Sequence, residues 1–192
     1  MELYEAIRGR RSIRQFRRDA VPRGLIDKIL QIAMWAPSGM NQQNWFFVVV
    51  RGERLQRLRQ LCKKAFDQQI KGVISLVFHG NPTILEETEH FFATLGNAPV
   101  AISVYRAETP EGDLTDIQSV AAAIQNLLLA AYAEGLGACW MTGPLAVEEE
   151  INLLLGVQGK RLQALIPIGY PASSPPAPRR RGGKIKWLRK GE

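Results

Sequence analysis

Residues 36–50 read A-P-S-G-M-N-Q-Q-N-W-F-F-V-V-V and join a polar loop to an apolar run. The unbroken run 45–50 predicts a buried strand. The loop before it is dense in small residues, backbone donors and side-chain amides. Such a loop suits hydrogen bonding to the edge of a planar heteroaromatic ligand, and it equally suits an ordinary turn. The residues of this loop leave both interpretations open.

Outward from this stretch, helical patterns and apolar strands alternate along the chain, which predicts an α/β or α+β fold. The predicted helices cover 2–8, 22–37, 53–66, 116–134 and 147–155, and the predicted strands cover 99–105, 138–141 and 162–168. Residues 67–97 show no clear period and are predicted to be a lid or excursion. The run 172–181, A-S-S-P-P-A-P-R-R-R, predicts an extended surface segment.

Charge is concentrated at the two ends of the 192-residue chain. Residues 1–23 and 179–192 together hold 14 basic and four acidic side chains, whereas the middle holds 11 basic and 14 acidic ones. Three interpretations of the basic ends are open: a nucleic-acid surface, solvated tails, or convergence on one anion such as a phosphate. The absence of helix-turn-helix, zinc-finger and RNP patterns disfavours nucleic acid.

Several kinds of chemistry lack their sequence patterns. Two cysteines and two histidines show no metal-ligand spacing, so no metal site is predicted. There is no G-x-G-x-x-G, no P-loop and no G-x-S-x-G. No apolar stretch predicts a membrane span or a secretory signal, so we expect a cytoplasmic protein. Without a reactive group of its own, the protein is expected to use the chemistry of a bound cofactor.

The segment R-R-S-I-R-x-F, residues 10–16, offers a candidate anion site. In an extended chain, Arg10, Ser12 and Arg14 fall on one face and Ile13 on the other. Two guanidinium groups and a hydroxyl on one face suit an anion, and an exposed basic strand has the same pattern. The spacing does not separate these alternatives.

Taken together, these segments resemble the FMN-dependent nitroreductase family over nearly the whole chain. The resemblance rests on five motifs in order: residues 10–16, residues 36–50, N-A-P-V-A-I at 97–102, G-L-G-A-C-W-M-T-G at 135–143, and I-P-I-G-Y-P at 166–171, followed by an arginine cluster. The chain departs at Asn44, where the family usually has proline. This change affects a local turn and gives no reason to expect loss of flavin binding.

The resemblance implies an α+β fold, a nitroreductase-like sandwich on a central, mostly antiparallel sheet. It further implies a single domain, 1–192, an intertwined homodimer, and an FMN at each interface held by both chains. NADH or NADPH would be the co-substrate. The FMN-binding residues implied by resemblance are Arg10, Arg11, Ser12, Arg14, Pro37, Ser38, Gly39, Asn41, Gln43, Thr142, Gly143, Arg179 and Arg181.

Each part of this set has an implied role. Arg10 and Ser12 would lie near the FMN phosphate and ribityl chain, and Arg14 near the ribityl or pyrimidine edge. The loop 37–43 of the other subunit would contact the isoalloxazine, and Thr142 and Gly143 would approach flavin N5. Arg179 and Arg181 would return to the phosphate from the tail 172–192, although Arg180 could replace one of them.

The implied reaction is ping-pong hydride transfer from NAD(P)H through flavin N5 to a nitroaromatic, quinone or similar acceptor. No catalytic side chain is predicted, because the flavin carries the chemistry. Alternatives are a specialised relative that performs dehalogenation, heterocycle dehydrogenation or flavin fragmentation, and a non-enzymatic flavin-binding protein. Residues 67–97 show no pattern for recognising a zwitterionic amino acid. Their aromatic residues could line the pocket or belong to the core: Phe78, Phe91 and Phe92, together with the preceding Phe66.

Overall fold

A four-stranded antiparallel sheet, ordered β1-β2-β4-β3, organises the computed structural model, which describes residues 1–107, 109 and 112–188. The strands are β1 (Trp45–Val50), β2 (Val100–Arg106), β3 (Gly137–Ala138) and β4 (Arg161–Gly169). This arrangement confirms the predicted α+β class and the antiparallel sheet. Residues 189–192 of the predicted tail lie outside the described residues.

Helices cover both faces of this sheet. They are α1 (Leu3–Gly9), α2 (Arg23–Ala33), α3 (Gly52–Ala65), α4 (Lys71–Val77), α5 (Pro82–Thr94), α6 (Asp113–Ala133) and α7 (Glu148–Leu155). On one face α3, α5 and α7 pack around Tyr105 and Leu165, and on the other α2 and α6 pack around Ile102 and Ile166. Side chains alternate along β2, so both of its faces are buried. These two apolar layers form the predicted sandwich.

Helix α6 lies at the centre of the second layer. It begins at Asp113, three residues before the predicted start, because Gly112 with φ of 85° breaks the backbone there. Among the described residues, α6 alone has the length and apolar composition of a membrane span. Its buried side chains pack against the sheet and α2, as in the core helix of a globular protein.

Strand β1 corrects the prediction of a buried strand at 45–50. Among the residues that the structure describes, it pairs only with β2, at the edge of the sheet, and it leaves Phe46 43% and Val49 39% exposed. Two other boundaries also differ from the sequence prediction. Helix α2 ends at Ala33, before Pro37, and β3 covers two residues, with Met141 joined to Leu165 by an isolated bridge.

Residues 67–97 are mostly helical. A π-helical turn, Phe66–Ile70, continues α3 into α4, and α5 begins at the sequence Asn81-Pro82. The Asn81 side chain accepts a hydrogen bond from the Ile84 amide at 3.3 Å, as an N-cap should. The sequence of α4 shows no clear helical period because Leu76 and Val77, two apolar residues, lie on its exposed side. Whether this region acts as a lid stays a prediction.

Candidate functional site

The segment 10–14 runs beside the short strand β3. The Ile13 amide donates to the Ala138 carbonyl at 3.1 Å, and Ser12 forms a parallel bridge with Ala138. Ile13 is 5% exposed and packs on Gly137, where an added Cβ would lie 2.6 Å from the Ile13 side chain. This packing fixes the predicted alternation, because Ile13 enters the core while Ser12 and Arg14 turn to the other side.

A groove of about 870 Å³ opens on that other side. One wall comes from the segment 12–15 and from residues 139–143 after β3. The opposite wall comes from the 67–97 region, and the early tail supplies the rim. The residues that line the groove include Ser12, Arg14, Phe78, Glu86, Glu87, Thr88, His90, Phe91, Phe92, Cys139, Thr142, Gly143 and Ser173.

Four predicted site residues therefore meet in this groove: Ser12, Arg14, Thr142 and Gly143. Gly143 lies against the opposite wall, since a Cβ there would stand 2.5 Å from Phe92 Cζ. The Arg14 guanidinium lies 6.0 Å from the centre of the Phe91 ring. The groove thus combines a cationic group, hydroxyls and a close glycine backbone with aromatic side chains.

Arg10 and Arg11 lie at one end of the same segment, around a separate cavity of about 60 Å³. The Arg11 guanidinium Nη1 donates to the carbonyls of Arg8, Gly9 and Arg10 at 2.6, 2.9 and 2.9 Å. Arg11 therefore caps the carboxyl end of α1, which sequence spacing did not reveal. Ser174 of the tail also lines this cavity, so the tail passes both cavities.

The predicted loop 37–43 does not line the groove. Its Ser38 hydroxyl accepts from the Gln43 amide at 3.0 Å, and Gln43 Nε2 donates to Asn41 Oδ1 at 3.1 Å. Met40, Asn41 and Gln43 have φ values of 48°, 56° and 47°, in the left-handed region. Such conformations cost about 1–3 kcal/mol each and persist where surrounding contacts impose them.

A model of the nitroreductase family matches residues 7–170 of this chain. The chain belongs to the nitroreductase family. This family of oxidoreductases was the one indicated by the sequence motifs, and the match spans both the segment 10–14 and the loop 37–43.

Individual relatives extend over most of the chain. A Methanothermobacter thermautotrophicus protein, provisionally named an NADH dehydrogenase/NAD(P)H nitroreductase, is 35% identical and covers 91% of this chain and 80% of its own. The iodotyrosine deiodinase of Thermotoga neapolitana is 29% identical, covering 91% of each chain. A crystal structure of oxidized iodotyrosine deiodinase bound to FMN and 3-iodo-L-tyrosine is 26% identical, with a TM-score of 0.77, covering 98% of this chain and 100% of that one.

The late arginines of this nitroreductase-family chain lie apart from the groove. Arg179, Arg180 and Arg181 are exposed, whereas the groove is reached by Ser173 and Pro175 of the same tail. Their assignment to a phosphate site stays a prediction.

Sequence reasoning missed the polar side chains on the groove wall of α5. Glu86, Glu87, Thr88 and His90 line the groove there. Phe91 and Phe92 join them, whereas Phe66 is fully buried and its ring centre lies 5.6 Å from that of Phe92. The Asn-Pro sequence at the start of α5 is the signal that could have located the first residue of this helix. Counting from that start brings Ile84, Glu87 and Phe91 to one face.

The cysteines do not supply a reactive thiolate. Burial raises the pKa of the Cys62 thiol to about 12. Burial also raises the pKa of the Cys139 thiol, while the charges of Arg14 and Arg10 act to lower it. Both thiols are therefore protonated near neutral pH.

Proposed function

We propose that this nitroreductase-family chain is an FMN-dependent oxidoreductase that takes hydride from NADH or NADPH. The observation that carries the proposal is the meeting of Ser12, Arg14, Thr142 and Gly143 in one groove. These residues come from two motifs about 130 positions apart, and the sequence motifs by themselves predict them as site residues. We expect the protein to work in the cytoplasm, where the nicotinamide donor is available.

The groove has the capacity and the chemistry that FMN requires. Its volume of about 870 Å³ lies within the roughly 300–1,000 Å³ typical of ligand pockets. Arg14 and Ser12 offer charged and neutral hydrogen-bond donors, and Arg10 lies at the end of the same segment, beside the smaller cavity. The curated relative named above as an NAD(P)H nitroreductase and the FMN-bound deiodinase structure support both cofactors.

When bound, the flavin would supply hydride transfer through N5, from NAD(P)H to a nitroaromatic, a quinone or a similar acceptor in ping-pong order. Arg14 would stabilise negative charge on the reduced ring. Thr142 and the Gly143 backbone would hold the ring edge, and a glycine is required there because a side chain would strike Phe92. Phe78 and Phe91 give the groove an apolar wall suited to stacking of flat reactants.

The protein is also proposed to act as an intertwined homodimer. The loop 37–43 would then complete the groove of the partner subunit, which explains why it lies apart from the groove of its own chain. Apolar side chains exposed in a single chain support this assembly: Leu3, Tyr4, Trp35, Met40, Ile185, Trp187 and Leu188. Strand β1 also offers an unpaired edge that an extended tail could cover.

Anaerobic stopped-flow spectroscopy tests the proposed reaction. The FMN-reconstituted protein is mixed with NADH or NADPH while absorbance at 450 nm is followed, and we expect rapid bleaching by at least one donor. Sedimentation on the same sample tests the dimer. A protein that fails to bind added FMN would overturn the proposal. If FMN binds but neither NADH nor NADPH reduces it, the proposed hydride transfer is wrong and only flavin binding is supported.

Reductive dehalogenation is the second candidate. It is favoured by the deiodinase relative and by Glu86 and Glu87, which could bind the ammonium group of an amino acid in the groove. Titrating the oxidised holoprotein with 3-iodo-L-tyrosine tests it through the flavin spectrum. Saturable perturbation by iodotyrosine, with turnover to tyrosine on reduction, would favour this reaction over nitroreduction.

A further inference from the structure

A buried polar network lies beside the loop 37–43 and has no part in the groove. Asp116, in the first turn of α6, is 2% exposed, and Asn44, at the end of the loop, is 5% exposed. Asn44 Nδ2 donates to Asp116 Oδ1 at 2.9 Å and to the Ala107 carbonyl at 3.3 Å. The hydrogen bond between Asn44 and Asp116 joins two buried side chains that are 72 residues apart in sequence, and it constrains the backbone around each of them.

The same carboxylate joins two further elements. Asp116 Oδ2 accepts from the Thr109 amide at 3.0 Å, and Oδ1 accepts from the Thr109 hydroxyl at 2.5 Å. Arg106 at the end of β2 is 6% exposed, and its Nη1 lies 3.5 Å from Asp116 Oδ2. Its Nη2 pairs with Asp113 at 2.7 Å. Asp116 thus ties β2, the start of β1 and α6 together through buried contacts.

A second anchor lies one helical turn further along α6. The Gly39 amide donates to the Ser119 hydroxyl at 3.2 Å, and that hydroxyl donates to the Thr115 carbonyl at 2.8 Å. The loop is therefore held near its start by Ser119 and at its end by Asp116. Between these anchors lie Met40, Asn41 and Gln43, the residues with left-handed backbone conformations.

We propose that Asn44, Asp116 and Ser119 are positioning residues, which hold the loop 37–43 in the conformation that receives the flavin ring. This inference rests on the proposed function, because the loop is the predicted isoalloxazine contact. The network acts through the loop and does not itself touch the reacting atoms.

The test compares Asn44→Ala, Ser119→Ala and Asp116→Asn with the matched control Glu148→Gln. Glu148 is also a mostly buried carboxylate; its Oε1 accepts from the Leu162 amide at 2.7 Å, away from the loop. We expect the three loop variants to bind FMN about tenfold more weakly. Glu148→Gln should lower the melting temperature of the apoprotein comparably while FMN affinity stays within about twofold.

Hydrogen exchange of the apoprotein provides a local readout. Amides of residues 38–43 should exchange faster in the loop variants, while the Ile13 amide, bonded to β3, keeps its protection. Unchanged FMN affinity in Asn44→Ala and Ser119→Ala, or equal loss in Glu148→Gln, would overturn the inference even if Asp116→Asn fails to fold. If the unaltered protein binds no FMN, the proposed function fails, and exchange alone then decides whether the network holds the loop.

Discussion

The groove segment, residues 10–17, and the loop 37–43 are both predicted to contact the flavin, yet they are held in different ways. Backbone hydrogen bonds hold the groove segment: the Phe16 amide donates to the Gly96 carbonyl at 2.8 Å, and the Arg17 amide to the Tyr170 carbonyl at 2.9 Å. The loop depends on side chains, chiefly Asn44, Ser119 and Asp116. Disrupting the backbone packing of the groove segment should therefore act mainly on stability, whereas disrupting the loop should act mainly on flavin affinity.

Gly96→Ala should have the largest effect, because Gly96 is where the groove segment packs most closely. Its φ is 61°, and a Cβ there would collide with the Arg14 carbonyl. We expect the free energy of unfolding to fall by about 2–5 kcal/mol, from backbone strain and overpacking together. Urea denaturation of the apoprotein measures this loss.

Gly52→Ala is the matched control for that variant. Gly52 has nearly the same φ, 59°, but open space where a Cβ would stand. It should lose only the strain contribution, about 1–2 kcal/mol. Equal losses in the two variants would show that close packing on Arg14 contributes nothing to stability.

Gly39→Val should have the next largest effect, on the loop. The substitution adds bulk where the flavin ring of the partner subunit's groove is expected. FMN affinity should fall roughly 10- to 100-fold by crowding, with little change in apoprotein stability. Flavin fluorescence titration measures the affinity. A variant that unfolds more easily yet binds FMN normally would reverse the proposed difference between loop and groove segment.

The sequence predicted the groove segment better than its surroundings, for identifiable reasons. The alternation that buries Ile13 depends only on extended backbone, and Ser12 and Arg14 both line the groove as it predicts, whereas Arg10 lines the smaller cavity. The pairing of Asn44 with Asp116 has no local pattern, because 72 residues separate them. The apolar run 45–50 indicated a strand but not its edge position, because an apolar strand face can pack either in the core or against another subunit.

The groove wall formed by the 67–97 region was not predicted, for two other reasons. The π-helical turn Phe66–Ile70 shifts the helical phase, so no single period describes residues 53–77. Glu86 and Glu87 were visible as an acidic patch, but their direction depends on where α5 begins. The capped Asn-Pro start supplies that phase only when it is recognised as a helix start.

Arg14→Ala and Arg11→Ala sharpen the assignment within the groove segment. Arg14→Ala should weaken FMN binding about tenfold, because a charged donor is lost from the groove. Arg11→Ala should instead lower the free energy of unfolding by about 1 kcal/mol, since three carbonyls lose their donor. Paired titration and urea denaturation measure both quantities. Greater loss of FMN affinity in Arg11→Ala than in Arg14→Ala would return Arg11 to the flavin-binding residues that the resemblance implies.

A further effect, confined to alkaline pH, concerns the buried thiols. The buried Cys62 thiol has its pKa raised from 9.0 to about 12. A pKa raised by folding contributes stability below about pH 9, and this stability is lost as pH rises toward 12. Titration of Cys62 should therefore lower the free energy of unfolding by roughly 1.4 kcal/mol between pH 8 and 10. Cys62→Ala should flatten this decline in urea denaturation series.

Cys139→Ala distinguishes the groove from the core in the same experiment. Its thiol pKa is also raised by burial, but Arg14 and Arg10 act to lower it. The Cys139 substitution should therefore flatten the alkaline decline less than Cys62→Ala does, and Arg14→Ala should increase the contribution of Cys139. Equal flattening by both cysteine substitutions would mean that the guanidinium charges of Arg14 and Arg10 do not lower the pKa of the Cys139 thiol.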